Sequence, residues 1–308
     1  MKAKVTIIGA GNVGATTAQL IAYAGFADVV LFDIAEGMPQ GKALDISEAC
    51  PLWNSSVSVT GTNTYADTAH YDVIVITAGF PRKPGMSRDD LLHANADVIK
   101  KVTFETSKLS PQSIMIVVTN PMDVMAQTAW KTSGFSAKKV IGMGGVLDSS
   151  RLRTFVSMEM GVSPEDVEAI VLGGHGDQMV PLPRFTTVKG IPITELLDKN
   201  KIDDIMNRTK NGGAEIVSLL KTGSAYYAPA AASCQMVKSI ILDEKRTLPC
   251  SSYLNGEFGI FDLFVGVPVV LGNGGVQRII ELELTDEERT QLKKSASSVK
   301  TLVEKTLL

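Results

Sequence analysis

The sequence predicts a doubly wound parallel α/β sheet followed by a mixed α+β domain. Three observations carry that expectation. Short Val- and Ile-rich runs alternate with helix-like stretches in the first half, a glycine-rich turn follows the first run, and the pattern changes after about residue 145. The runs are KVTII at 4–8, DVVLFD at 28–33, DVIVITA at 72–78 and SIMIVVT at 113–119. They are apolar on both faces, as strands covered on both sides must be. Helix-like stretches at 12–24, 36–49 and 89–109 separate them, so right-handed crossovers between parallel strands follow.

Beyond residue 145 come a longer helical run, LDSSRLRTFVSMEMG, then the strand-like VEAIVLGG, and a hairpin region at 253–272. The final TDEERTQLKKSASSVKTLVEKTLL opens with a capping box, Thr285 to Glu288, and places Leu292, Ala296, Val299 and Val303 on one face. A closing helix packed on the core is expected there. The division drawn from these patterns is 1–145 for the first domain and 146–308 for the second.

Composition narrows the classes of function. A 308-residue chain suits about two domains of roughly 150 residues. The net charge of −3 gives no general basic field for a polyanion, which argues against nucleic acid as a partner. Cys50, Cys234 and Cys250 are widely spaced and odd in number, suggesting neither a disulfide framework nor a zinc cluster, so no metal is expected. The N-terminal MKAKVTIIGAGN runs straight into a strand with no signal-peptide pattern, and no long apolar window follows. A soluble cytoplasmic protein with no membrane partner is expected.

Gly9, Gly11 and Gly14 form GxGxxG between the first strand and the helix NVGATTAQLIAYAG. In that setting the glycines permit a tight turn, close backbone approach to a pyrophosphate, and close helix-to-strand packing. Asp33 ends the second strand about 20 residues later, where a carboxylate accepts hydrogen bonds from ribose hydroxyls. It would repel a 2′-phosphate, and no Arg follows it in DIAEGMPQ, so NAD is favoured over NADP. These residues predict a Rossmann domain. The glycines alone would also suit a ligand-free tight turn, and an S-adenosylmethionine site uses a similar turn and acid.

Asp148 and Arg151 lie one helical turn apart in LDSSRL. That spacing alone equally describes a surface ion pair. His175 stands in LGGHGDQ among Gly173, Gly174 and Gly176, where missing side chains leave room for another molecule. A histidine beside a carboxylate is held in one tautomer and suits proton transfer between a hydroxyl and a carbonyl. An arginine nearby can clamp a carboxylate in a bidentate fork. His70 and His93 lie in polar or helical surroundings and read as exposed or structural.

With GAGNVG, FD at 32–33, TAGFPRKPGMSR at 77–88, VTNP at 118–121, LDSSR at 147–151 and GGHGD at 173–177, the chain resembles the lactate/malate dehydrogenase family over nearly its whole length. The resemblance implies His175 as the acid/base, Asp148 as its orienting partner and Arg151 as the clamp on the substrate carboxylate. It makes Arg88 the loop arginine that polarises the substrate carbonyl, and Asn120 a contact to both the nicotinamide and the substrate oxygen. Asn12, Asn95 and Thr119 complete the cofactor-binding set with Gly9, Gly11, Gly14, Asp33 and Asn120. Arg82 is the position that divides the family, because members acting on lactate carry Gln there whereas an Arg pairs with the second carboxylate of malate or oxaloacetate. PRKPGMSR and GMGG at 142–145 resemble the lactate-dehydrogenase-like malate dehydrogenases, and the small Ser224 and Ala225, where lactate-specific members carry a threonine-bearing pocket wall, again favour malate. A homodimer or homotetramer is implied by the same resemblance.

Overall fold

The computed structural model describes residues 2–80 and 87–306, with only the backbone of Arg88. Arg82, with the rest of 81–86, lies outside the described residues. The elements are β1 (Ala3–Ile8), α1 (Asn12–Ala24), β2 (Ala27–Phe32), α2 (Met38–Ala49), β3 (Val59–Thr62), β4 (Val73–Ile76), α3 (Arg88–Leu109), β5 (Ile114–Val117), α4 (Met122–Ser133) and β6 (Val140–Gly142). Then follow α5 (Gly145–Met160), β7 (Val167–Glu168), β8 (Val171–Leu172), β9 (Val180–Pro181), β10 (Thr187–Val188), β11 (Ile191–Pro192), α6 (Ile193–Leu196), α7 (Lys199–Leu220) and α8 (Tyr227–Ile241). The chain closes with β12 (Arg246–Asn255), β13 (Phe261–Gly272), β14 (Gly275–Ile279) and α9 (Asp286–Lys305).

The main sheet runs β3-β2-β1-β4-β5-β6-β12-β13-β14, with its first six strands parallel. Each of the four predicted apolar runs is a strand, and their buried Val and Ile side chains form the core on both faces. The order reverses between β1 and β4, which opens a crevice at the carboxyl ends of those strands. Gly14 makes that geometry achievable, since a Cβ there would lie 1.9 Å from the Gly9 carbonyl oxygen. Gly9 itself has φ +109°, a conformation that L side chains rarely adopt.

Three expectations change. VEAIVLGG is not one strand: β7 pairs with β10 and β8 with β9, in two separate small sheets. The hairpin begins at Arg246 rather than 253 and does not form a sheet of its own. Ser251 of β12 pairs antiparallel with Gly142 of β6, so the hairpin extends the parallel sheet. The third correction concerns Gly173 and Gly174, whose missing side chains make room for α9. A Cβ on Gly173 would meet Ser295 Oγ at 2.6 Å, and one on Gly174 would meet Val299 at 2.7 Å. Of the three glycines around His175, only Gly176, at φ +101°, has nothing among the described residues within 4 Å of an added Cβ.

The closing helix α9 buries Leu292, Ala296, Val299 and Val303 as its periodicity requires. Its capping box is closed by Glu288 N–H donating to Thr285 Oγ1 at 3.2 Å and by Thr285 N–H donating to Glu288 Oε2 at 2.9 Å. Replacing Thr285 with alanine is expected to cost about 1 kcal/mol, seen as a lower denaturation midpoint in urea with an unchanged slope. Among the described residues no helix is long and apolar enough to cross a membrane.

Candidate active site

The crevice beside β1 and β4 holds a cavity of about 350 Å³ lined by Gly9, Gly11, Asp33, Met38, Thr77 and Phe80, among others. Gly11 caps α1 without any side-chain hydrogen bond, so the first N–H groups of the helix remain available to an anion. Asn12, the first residue of that helix, is exposed. Asp33 is held by two backbone donors, Ala10 N–H to Oδ2 at 2.7 Å and Ala35 N–H to Oδ1 at 3.0 Å. A carboxylate fixed at one end of the cleft and a bare helix N-terminus at its neck fit the ribose and the pyrophosphate of a dinucleotide. Gly9, Gly11 and Asp33 line this cavity, and Asn12 and Gly14 stand in the first turn of α1 beside it.

Asn95 and Thr119 turn their side chains to the backbone of neighbouring loops. Asn95, only 1% exposed, accepts from Phe80 N–H at 2.7 Å and donates to the Asn120 carbonyl at 2.8 Å. Thr119 Oγ1 donates to the Ala78 carbonyl at 2.7 Å. Both side chains are spent on joining the loop after β4 to the loop after β5. Asn120 is exposed and lines the second cavity.

That second cavity, about 520 Å³, is lined by Asn120, Arg151, His175, Asp177, Lys210 and Ser224, among others. Asp148 lies in the first turn of α5, and its almost fully buried carboxylate accepts from His175 Nδ1 at 2.9 Å and from Arg151 at 3.3 Å. A carboxylate can only accept, so Nδ1 carries the hydrogen and Nε2 of the neutral ring is left with its lone pair. Burial pushes the His175 pKa down, but the charge and hydrogen bond of Asp148 and the charge of Asp123 outweigh it, so the pKa lies above its ordinary value of 6.5. Arg151 is lodged against Gly212 and Gly213 of α7, and its buried Nε has no hydrogen-bond partner among the described residues. Among the described residues its one acidic contact is Asp148, which leaves most of the guanidinium fork open to an incoming carboxylate.

Two supporting residues have no counterpart in the sequence reading. Asp123 in the first turn of α4 accepts from His175 N–H at 2.8 Å, and Ser295 of α9 accepts from Gly174 N–H at 2.8 Å. Asp123 stands just past VTNP, after Met122, but an acid in a helix's first turn is ordinarily explained by the helix dipole alone. His70 and His93 are exposed, as expected. Of Arg88 the described part is its backbone, which opens α3 behind the Ser87 cap. Among the described residues no cluster could hold a metal ion.

A glycine-turn crevice with a fixed carboxylate, and a second cavity with a buried Asp–His pair and an arginine, are features that a nicotinamide-dependent dehydrogenase would need. The chain belongs to the lactate/malate dehydrogenase family: residues 3–142 match its NAD binding domain and 145–307 its alpha/beta C-terminal domain. It is an NAD-dependent oxidoreductase. A malate dehydrogenase from Rhodopirellula baltica is 57% identical over 98% of this chain and 96% of its own length. One from Roseiflexus sp. (strain RS-1) is 56% identical over 97% of each chain. Among solved structures, the malate dehydrogenase of Salinibacter ruber superposes with TM-score 0.95 at 50% identity, covering 99% of this chain and 97% of that one. The lactate dehydrogenase of Cryptosporidium parvum, complexed with lactic acid and NAD, gives TM-score 0.95 at 42% identity over 99% and 98% of the two chains.

Proposed function

We propose that the protein catalyses the reversible NAD-dependent oxidation of (S)-malate to oxaloacetate, with His175 and Asp148 as the acid/base pair. The observation that carries the chemistry is the 2.9 Å contact from His175 Nδ1 to Asp148, with Arg151 lining the same cavity. Arg82 in the sequence and the malate dehydrogenase relatives above 50% identity support malate over lactate. Residues 1–145 hold the cofactor and 146–308 most of the substrate site in this reading.

NAD, when bound, supplies the hydride acceptor for oxidation and, reduced, the donor for the return reaction. Gly9, Gly11, Asn12, Gly14 and Asp33 hold it, with Asn95 and Thr119 setting the loops beside it. In oxidation neutral His175 takes the hydroxyl proton at Nε2 while Nδ1–H stays on Asp148, and that carboxylate stabilises the imidazolium that results. In reduction His175 returns the proton to the carbonyl oxygen. Arg151 grips the carboxylate next to the reacting carbon, Arg82 the far carboxylate, and Arg88 the developing charge on oxygen. Asn120 orients the substrate oxygen. A homodimer or homotetramer in the cytoplasm belongs to the same proposal, supported by exposed Tyr23, Leu44 and Leu52 on neighbouring elements.

The test is loss of NADH absorbance with oxaloacetate, compared with pyruvate. Rapid turnover of oxaloacetate and slow turnover of pyruvate is expected, and the reverse order would overturn the substrate assignment. Reduction needs protonated His175, so kcat/KM for oxaloacetate is expected to hold through 6.5 and decline only as pH passes the raised pKa. Malate oxidation needs the neutral ring and should rise over that same interval. A decline in reduction beginning below 6.5 would contradict the Asp148 assignment.

A further inference from the structure

Granting His175 the acid/base role above, the loop that carries it is braced from four elements. Gly173 forms an isolated backbone bridge with Gly266 of β13, and Gly174 N–H donates to Ser295 on α9. The His175 ring is held by Asp148 on α5, and its backbone N–H by Asp123 Oδ2 on α4 at 2.8 Å. The other Asp123 oxygen accepts from Ser251 Oγ of β12 at 2.6 Å. Asp123 is 4% exposed. A backbone N–H can only donate, so Oδ2 must accept, and the serine hydroxyl can donate to the second oxygen, so both Asp123 oxygens have a donor in reach when the carboxylate is ionised.

We infer that Asp123 is a positioning residue for the reaction: it fixes the backbone of His175 and places a second negative charge behind the imidazole. Asp148 sets the ring's tautomer and Asp123 sets where the ring stands. Among the described residues, the other charged groups facing this centre are Arg151 on α5, with Asp177 beyond the histidine loop and Lys210 on α7 lining the same cavity. β12 and α9 contribute only the hydroxyls of Ser251 and Ser295. Burial, with the Asp148 charge, holds the Asp123 pKa above the ordinary carboxylate value, against the Ser251 hydroxyl, the His175 N–H and the His175 charge, which pull it down. In turn the Asp123 charge helps to hold the His175 pKa up.

Two substitutions separate geometry from charge. Asp123→Asn can keep an oxygen on the His175 N–H and turn its amide toward Ser251, so it preserves shape while removing the charge. Asp123→Ala removes both. The chain has three histidines, and His70 and His93 are exposed, so imidazole proton signals in an NMR titration can be assigned with His175→Asn and compared within one spectrum. In Asp123→Asn the His175 midpoint is expected to move to lower pH while His70 and His93 stay fixed. That reading needs no turnover, so it stands apart from whether oxaloacetate is the substrate. In Asp123→Ala, kcat is expected to drop roughly 10- to 100-fold with NADH affinity kept, the loss a misplaced catalytic group produces. An unmoved His175 midpoint in Asp123→Asn overturns the electrostatic role, and an undiminished kcat in Asp123→Ala overturns the positioning role. If Asp123→Ala does not fold, the Asp123→Asn titration decides.

Discussion

Replacing His175 with asparagine is expected to lower kcat in both directions by roughly 10²- to 10⁴-fold, the usual worth of a positioned acid/base, while leaving NADH binding intact. Asparagine keeps the backbone N–H that reaches Asp123 and can still donate to Asp148, so the loop should stay in place. What disappears is the nitrogen that accepts and returns the proton. Stopped-flow turnover and NADH fluorescence titration measure the two effects separately. If NADH affinity falls along with turnover, His175 is holding the cofactor cleft together and the separation of roles is wrong.

The second large effect is expected at Arg82, on which the sequence motif alone bears. Arg82→Gln should reduce kcat/KM for oxaloacetate by roughly 10²- to 10⁴-fold and raise the relative rate with pyruvate. An arginine enclosed with a substrate lacking its counter-charge costs several kcal/mol, whereas glutamine beside a methyl group does not. Steady-state kinetics with both acids checks this, and an unchanged preference would shift the choice of substrate to other cavity residues. Lys210 of α7, which lines that cavity, would then be the cation to replace next.

The parts of the fold readable from sequence were those with strong local signals. The four Val/Ile runs and the glycine turn announced the parallel core because buried parallel strands are apolar on both faces. β3 went unseen because VTGT has a single bulky apolar residue, and β6 because three residues, VIG, are too few to show a pattern. The division of VEAIVLGG into two strands depends on partners at 180–188, which local pattern does not encode. At the site, Asp148, Arg151 and His175 could be found because unusual residue types stand in unusual surroundings. Asp123 and Ser295 could not, since each looks like an ordinary helix residue until the fold brings it against the histidine loop. Asn95 is named through the resemblance alone, and the hydrogen bonds by which it ties two loops together have no signal in the local sequence.

The pairing of Ser251 with Gly142 also bears on how such a protein can be cut or recombined. Separating the chain near residue 145 would strip β6 of its neighbour and leave a sticky open margin on each fragment. The same serine sends its hydroxyl to Asp123. A graft that exchanged one half for a relative's would therefore have to match the seam strand as well as the pocket, because one residue stitches the sheet together and anchors the acid behind the reacting histidine.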